Sequence, residues 1–232
     1  MRGLKLIFTN RKRANEMLER VRTGGPSLTR RETQFIRTTK VDLLKLIPFA
    51  MIIIIVEEII PLIVLYAPFI LPSTCILPTQ KDRIDAKQRE KQRVLVASYS
   101  DVFAKLAKDQ SVQVSVESFL SGVTLKPVSG MLGISTYTPR VFQLNALKRH
   151  LTTIGEDDAL LLREHHGAHL TPSELRQALL ERGIATDEVP EDLWRTRLTW
   201  WLSSVEKLSD KTAVDPASER LRLVACSALG KF

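Results

Sequence analysis

Residues 43–71 of the chain have the sequence LLKLIPFAMIIIIVEEIIPLIVLYAPFIL, which is apolar except for Lys45 and the adjacent carboxylates Glu57 and Glu58. The hydrocarbon core of a bilayer is about 30 Å thick, and an α-helix needs roughly 20 apolar residues to cross it. The stretch exceeds this length, and nothing that resembles a signal-peptide cleavage site follows it. We therefore expect one kinked membrane-spanning helix within residues 41–77.

The two glutamates are the unusual feature of this stretch, because a charged side chain at the bilayer centre costs about 2.5–3.5 kcal/mol on insertion scales. Pro61 has no amide N–H, so the main-chain carbonyl of Glu57, four residues earlier, loses its helical hydrogen bond. Several oxygen acceptors then lie at one depth, an arrangement that suits a proton or a hard cation. Alternatively, the glutamates are protonated, which burial favours, or pair with another helix, and Pro61 only kinks the span.

Composition limits the remaining possibilities. The chain has 232 residues, a net charge of +8 and a sequence pI of about 9.7, which indicates anionic partners such as lipid headgroups or nucleic acid. With one span, this length leaves one soluble domain of ordinary size. The two cysteines, Cys75 and Cys226, are too few and too far apart for a disulfide framework or a zinc knuckle, so a reducing compartment is expected.

Residues 1–40 form a basic amphipathic segment with eleven Lys and Arg against three Glu. This pattern predicts one or two helices that lie against a membrane surface and are attracted to anionic lipids. Gly24, Gly25 and Pro26 interrupt the segment. Thr29 and Glu32 have the spacing of a capping box, which predicts a second helix from Arg30 to about residue 45 that leads into the span.

Residues 78–97 are predicted to form a charged linker or exposed helix, and residues 98–232 a domain of short amphipathic helices, so the fold class is all-α. The last three helices have the clearest signals. The first is predicted to start at the Thr138-Pro139 pair; its apolar stripe is Val141, Leu144, Leu147, Leu151 and Ile154. A capping box of Thr171 and Glu174 starts the second, which ends at Gly183. The third has the stripe Leu193, Trp194, Leu198, Trp201, Leu202 and Val205.

No catalytic motif is present: the chain has no glycine-rich phosphate loop, no GxSxG and no HExxH, so we expect neither an enzyme nor a cofactor. His165, His166 and His169 lie close together, but Gly167 weakens a helix there and the nearest carboxylates have no ligand spacing, which favours a hydrated turn over a metal site. Asp157 and Asp158 precede a short apolar run and are interpreted as helix-start residues.

One block of sequence and three later pieces carry a family resemblance. Residues 27–74, SLTRRETQFIRTTKVDLLKLIPFAMIIIIVEEIIPLIVLYAPFILPST, resemble the signature of the leucine zipper and EF-hand-containing transmembrane (Letm) family. FAKLAKD (103–109), LTPSELRQALLERGI (170–184) and LWRTRLTWWL (193–202) are similar to that family's ribosome-binding domain. Together these pieces extend over nearly the whole chain.

The resemblance implies a protein of the mitochondrial inner membrane with one span and a 14-3-3-like helical domain, residues 98–232, in the matrix. It also implies exchange of potassium or calcium for protons, and binding of the mitochondrial ribosome. Glu57 matches the family's membrane glutamate and Pro61 the proline after it, whereas Glu58 stands where the family usually has an aromatic residue. The pattern resembles a short form of the family, for which we expect no separate presequence, coiled coils or EF-hand.

Two functional hypotheses result. In the first, the chain serves cation homeostasis by potassium or calcium/proton exchange coupled to ribosome binding; a single helix cannot enclose a polar path, so a homo-oligomer or a partner is required. In the second, it is a membrane-anchored ribosome receptor or assembly factor without transport activity. Glu57, Glu58 and Pro61 are the ion-transport candidates. The candidates for contact with ribosomal RNA or proteins are basic residues on amphipathic helices: Lys148, Arg149, Arg176, Arg195 and Arg197.

Overall fold

Nine α-helices and one 3₁₀ turn, without any β-strand, make up the residues that the computed structural model describes, which are 2–55, 78–108, 124–186, 189–209 and 215–232. The all-α class is thereby confirmed for these residues. The chain divides into two compact units, Met1–Asp85 (unit 1) and Ala86–Phe232 (unit 2). The boundary lies 12 residues before the start of the predicted domain at residue 98, inside a helix.

The helices of the described residues are assigned to the two units as follows. Unit 1 contains α1 (Arg2–Arg22) and α2 (Arg30–Ile55), and α3 (Pro78–Ser98) includes the boundary between the units. Unit 2 contains α4 (Ser100–Lys108), α5 (Leu125–Met131), α6 (Arg140–Arg163), the 3₁₀ turn (His165–Gly167), α7 (Pro172–Glu181), α8 (Glu191–Ser209) and α9 (Pro216–Ala228). The predicted linker at 78–97 is thus helical.

The apolar stretch at 43–71 is described only as far as Ile55, which lies in α2. Across the described ranges, no helix has both the length and the apolar character that a membrane crossing requires. Glu57, Glu58 and Pro61 lie outside the described residues, as do Cys75 and the rest of the predicted span.

In unit 1, α1 and α2 pack against each other and are joined at the predicted break. Gly24 has φ +85°, a conformation that favours glycine, and it ends α1. The predicted capping box is confirmed: the Thr29 amide donates to Glu32 Oε2 at 3.0 Å, and the Glu32 amide donates to Thr29 Oγ1 at 3.3 Å. Arg20 of α1 donates to both carboxylate oxygens of Glu32, each at 2.8 Å, which connects the two helices.

The core of unit 2 is built from the apolar stripes of its helices. Leu147, Leu151 and Ile154 of α6 are buried, as are Leu198, Trp201 and Leu202 of α8, which confirms most of both predicted stripes. Two members of the stripes are not core residues: Val141 is 67% exposed and Leu193 is 47% exposed. Both lie in the first turn of their helix, and at 3.6 residues per turn each is more than about 100° from the centre of the buried side. Helix α9 packs against α4, α5, α6 and α8.

Helices α3 and α5 approach each other closely at a glycine. A Cβ atom at Gly130 would lie 2.2 Å from Cδ1 of Leu95, so a larger residue there would require the Leu95 side chain to move. The contact is fixed by Gln92, which is buried although it lies in a charged helix and donates from Nε2 to the carbonyl of Met131 at 2.6 Å. The prediction of an exposed helix is therefore wrong for this face of α3.

The start of α6 differs from the prediction by one residue. Pro139 is the N-cap residue, with φ −53° and ψ 147°, and α6 begins at Arg140. Thr138 does not cap the helix; its Oγ1 donates to the carbonyl of Ser135 at 3.4 Å instead. The predicted capping box of α7 is confirmed, since Thr171 and Glu174 exchange side-chain and main-chain hydrogen bonds and Pro172 is the first helical residue.

The interpretation of Asp157 and Asp158 as helix-start residues is wrong. Both are buried inside α6, which continues to Arg163, and both pair with the fully buried side chain of Arg182. Arg182 Nη2 lies 2.9 Å from Asp157 Oδ2 and 2.7 Å from Asp158 Oδ1. Burial opposes the charge of Arg182, but the two carboxylates outweigh it and raise the pKa of the guanidinium.

Asp158 connects two more groups to this cluster. Its Oδ1 also accepts from Trp201 Nε1 at 3.1 Å, and its Oδ2 accepts from Arg220 Nε at 2.9 Å. Arg182 Nη1 donates to the carbonyl of Ala178 at 2.9 Å. We call Asp157, Asp158, Arg182, Trp201 and Arg220 the buried charge cluster. It joins α6, the end of α7, α8 and α9, and its two acids balance its two arginines.

Replacement of Asp158 by Asn should destabilise unit 2 by about 3–5 kcal/mol, because it removes one partner of a buried ion pair and leaves Arg182 and Arg220 undercompensated. All three tryptophans lie in α8, so urea unfolding followed by tryptophan fluorescence reports on unit 2. The control is Glu90→Gln, which removes an exposed acid whose pair with Arg93 is 4.0 Å long and should change stability by less than about 0.5 kcal/mol. Equal stability of the two variants would contradict a cohesive role for the cluster.

The pKa of Glu32 is lowered to about 2, first by its hydrogen bonds from Arg20 and then by the Thr29 amide. Folding therefore lowers this pKa, so Glu32 stabilises the folded chain above its ordinary pKa of 4.5, and the contribution is lost as the pH falls towards about 2. Titration of the side-chain carboxyl by ¹³C NMR should show an inflection near 2. In Arg20→Gln it should move towards 4.5. An unchanged inflection in that variant would exclude Arg20 as the cause.

Candidate functional site

The positive charge of the chain is divided unequally between the units. Residues 1–85 contain fourteen Lys and Arg against eight Asp and Glu, whereas residues 86–232 contain twenty against eighteen. Unit 2 is therefore close to neutral as a whole. A surface of unit 2 that binds an anionic partner must depend on how its charges are arranged locally.

Lys148 and Arg149 are exposed neighbours on α6. The buried side chains of Leu147 and Leu151 fix which side of α6 faces the core, and Lys148 and Arg149 point away from it. Val141, Phe142 and Asn145 are also exposed, one to two turns earlier. At 3.6 residues per turn, these five positions fall within an arc of about 120° on the helix. They form one continuous face.

Arg195 and Arg197 of α8 are used within the fold. Arg195 donates from Nη1 to the carbonyl of Ala168 and from Nη2 to that of Leu170, both at 3.1 Å. Arg197 donates to the carbonyl of Ala185 and lies with its guanidinium carbon 4.3 Å from the centroid of the Phe232 ring. Burial lowers the pKa of Arg197. The two arginines thus hold the segments that precede and follow α7.

Arg176 lies between these segments, on α7 itself, and is half-buried. The five predicted contact residues therefore lie on three helices. Lys148 and Arg149 share one face of α6, and Arg176 lies on α7. Arg195 and Arg197 lie on α8 and contact the segments before and after α7. Helices α6 and α7 are joined by His150 Nε2 and the carbonyl of Glu181, 2.8 Å apart. The prediction that all five contact a ribosome is not tested by this geometry.

Exposed aromatic side chains at the start of α6 are a feature that the sequence interpretation missed. Tyr137 is 95% exposed and Phe142 is 67% exposed. The signal for Phe142 is present in the sequence, because a helix whose core positions are Leu147, Leu151 and Ile154 places residue 142 on the opposite side. Val141 was assigned to the core only because it is apolar and lies at helical spacing.

The three histidines lie in and beside a strained turn. His165 and His166 have φ values of 53° and 57°, a left-handed conformation that side chains rarely adopt. They line an open cleft of about 410 Å³ together with Arg195, Thr199 and apolar side chains. His166 Nε2 lies 3.8 Å from Glu206 Oε2. Among the described residues, no group of three or more His, Cys, Asp and Glu is placed to hold a metal ion.

Comparison with known proteins connects this arrangement to a family. A family model described as LETM1-like, RBD, a ribosome-binding domain, matches residues 28–121 and 103–214. The mitochondrial proton/calcium exchanger protein of Drosophila melanogaster is 26% identical over 241 residues, which is 86% of this chain and 23% of that relative. The chain thus spans less than a quarter of the relative's length. No solved structure matches the chain.

Proposed function

The chain belongs to the LETM1-like family that the ribosome-binding domain defines, and from this membership we propose that unit 2 binds the mitochondrial ribosome. The observation that carries the proposal is the extent of the match: residues 28–214 include every described helix except α1 and α9. The name of the Drosophila melanogaster relative supports a mitochondrial location.

The structure supports this proposal through a rigid presentation of basic side chains. The buried charge cluster and the apolar core hold α6 and α7 in place. Arg195 and Arg197 hold the ends of α7 by binding main-chain carbonyls. Lys148 and Arg149 are exposed and Arg176 is half-buried, so these three members of the predicted set are our candidates for contact with a ribosome at the surface of unit 2.

We further propose that the protein resides in the inner membrane with unit 2 in the matrix, where translating ribosomes are within reach. The basic segment at residues 1–40 is suited to anionic lipids of that membrane. A polar path around Glu57 needs more than one helix, so further copies of the chain or a partner would complete it. The 14-3-3-like arrangement of the helical domain stays a prediction from the family.

The double variant Lys148→Gln, Arg149→Gln should weaken association with purified mitochondrial ribosomes, because each lost phosphate contact removes a counterion-release contribution. The slope of log affinity against log salt should also decrease by about 0.7–0.9 per lost contact. The measurement is co-sedimentation of the chain in neutral-lipid nanodiscs at several salt concentrations. Lys105→Gln, Lys108→Gln is the matched control, since it removes the same charge from exposed positions of α4.

Equal affinities of the two double variants would exclude the α6 pair from the contact. An association that does not depend on salt would argue against contact with RNA phosphates. Failure of the unaltered chain to co-sediment with ribosomes would contradict the proposed function itself.

A second candidate function, cation/proton exchange, is favoured by the name of the relative and by the acid pair in the apolar stretch. The transported ion would be potassium or calcium, with protons moving in the opposite direction. Glu57 would bind them, and Pro61 would expose the main-chain carbonyl beside it. Ribosome binding by unit 2 and exchange through residues 41–77 are compatible in one chain.

Glu57→Gln should abolish potassium- or calcium-driven proton flux in liposomes that contain the purified chain, because an amide cannot release a proton. Glu58→Gln is the matched control: it removes the adjacent acid, which a helix would place about 100° away, and should preserve more of the flux. Flux is followed with a pH-sensitive dye inside the vesicles. The exchange hypothesis would be abandoned if the unaltered chain gave no flux or if Glu57→Gln left the flux unchanged.

A further inference from the structure

The exposed aromatic residues beside Lys148 and Arg149 suggest what unit 2 recognises. We define the aromatic–basic face as Tyr137, Val141, Phe142, Asn145, Lys148 and Arg149, all of them exposed, with Tyr137 in the turn before α6 and the rest on one side of that helix. We propose that this face binds single-stranded RNA, with bases stacked on Tyr137 and Phe142 and phosphates bound by Lys148 and Arg149. The inference rests on the proposed function and names the chemical class of its ligand.

Charge segregation is the first argument for an anionic ligand. Between Glu117 and Glu156 the sequence contains no Asp or Glu, although unit 2 as a whole has eighteen of them. The same interval contains Lys126, Arg140, Lys148 and Arg149. The aromatic–basic face lies within this interval, so no carboxylate of its own helix opposes an anion until Glu156, which is two turns beyond Arg149.

The aromatic rings are the second argument, and they favour a nucleic acid over a lipid surface. Proteins bind unpaired bases by stacking them on exposed aromatic side chains while Lys and Arg contact the phosphates. A helix that adsorbs to a membrane carries apolar side chains along its length. On the exposed side of α6, large apolar side chains lie only in the first turn, at Val141 and Phe142. The exposed residues from Asn145 to Glu156 are polar, and the next exposed apolar residue is the small Ala159.

The size of the face limits the ligand to a short segment. Val141 and Arg149 are eight residues apart, a distance of about 12 Å along the helix axis. This accommodates a few nucleotides of an unpaired loop. A double-stranded RNA helix is recognised across about 16 base pairs by shape and phosphate contacts, for which two exposed rings have no use. Asn145, between the rings and the cations, can donate to and accept from a base edge.

The test measures binding of a fluorescently labelled ten-nucleotide oligouridine to the 232-residue chain in neutral-lipid nanodiscs, by fluorescence anisotropy. The double variant Tyr137→Leu, Phe142→Leu keeps both side chains apolar but removes their planar rings. We expect this leucine variant to bind oligouridine at least about tenfold more weakly than the unaltered chain. Tyr137→Phe keeps the ring and should bind within about twofold of the unaltered chain. Lys105→Gln, Lys108→Gln is the charge control on α4 and should have no effect beyond the same margin.

Each other outcome overturns the inference. Equal binding by the leucine variant excludes stacking. A different result is that the unaltered chain co-sediments with ribosomes but does not bind oligouridine. If the leucine variant then co-sediments less than the unaltered chain, the face binds a protein partner. If the leucine variant loses binding to vesicles of neutral and anionic lipid but still binds oligouridine, the ligand of this face is a membrane surface. In these cases the proposed function stands, whereas failure of the unaltered chain to co-sediment with ribosomes removes both.

Discussion

The carboxylate of Asp158 is the constraint on which the arrangement of unit 2 depends. It is buried, and one of its oxygens accepts hydrogen bonds from Trp201 and Arg182 while the other accepts from Arg220. A buried charge is tolerated only when its partners are in place. Helices α6, α8 and α9 and the end of α7 must therefore adopt one mutual position to satisfy it. Apolar packing alone tolerates small displacements, whereas directional hydrogen bonds do not.

Near the cluster, Gly155 lies beside Arg220. A Cβ atom at Gly155 would lie 3.4 Å from the guanidinium, an ordinary van der Waals distance, so the pairing of Arg220 with Asp158 does not require a glycine there. The sequence offers no local indication of this pairing, because residues 158 and 220 are 62 positions apart. In sequence, two adjacent aspartates before an apolar run look the same whether they start a helix or lie inside one. Only their partners distinguish the two cases, and those partners are distant in the sequence.

Local signals, in contrast, predict the fold where all the participants lie within one turn. Both capping boxes are of this kind, since the Thr29–Glu32 and Thr171–Glu174 pairs satisfy their amides within four residues. The core positions of α6 and α8 follow from helical spacing. The spacing fails at Val141 and Leu193, which are exposed: at 3.6 residues per turn, both lie more than about 100° from the centre of the buried side of their helix. Apolar character alone therefore does not assign a residue to the buried side.

For the basic residues too, the residue type in the sequence does not reveal the surroundings of the side chain in the fold. Arg195 and Arg197 are indistinguishable from Arg149 in sequence, yet both bind main-chain carbonyls around α7. Their substitution would disturb the helix as well as remove a charge, so a loss of binding in such a variant would not identify a contact. Arg149 is exposed on a helix whose opposite side is anchored by Leu147 and Leu151. A substitution at an exposed position such as Arg149 can therefore test binding without disturbing the fold.

Because the two units differ in net charge, they are expected to attract anionic partners over different distances. Exposed charges are screened beyond about 8 Å at physiological ionic strength, so a nearly neutral unit 2 is not drawn to an anion by its net charge. Unit 1 carries six excess positive charges in the sequence to Asp85 and attracts an anionic surface as a whole. If that surface is the membrane, as proposed, unit 2 is left to select its partner at contact distance. Its selectivity then depends on the shape and chemistry of the aromatic–basic face rather than on the pI of the chain.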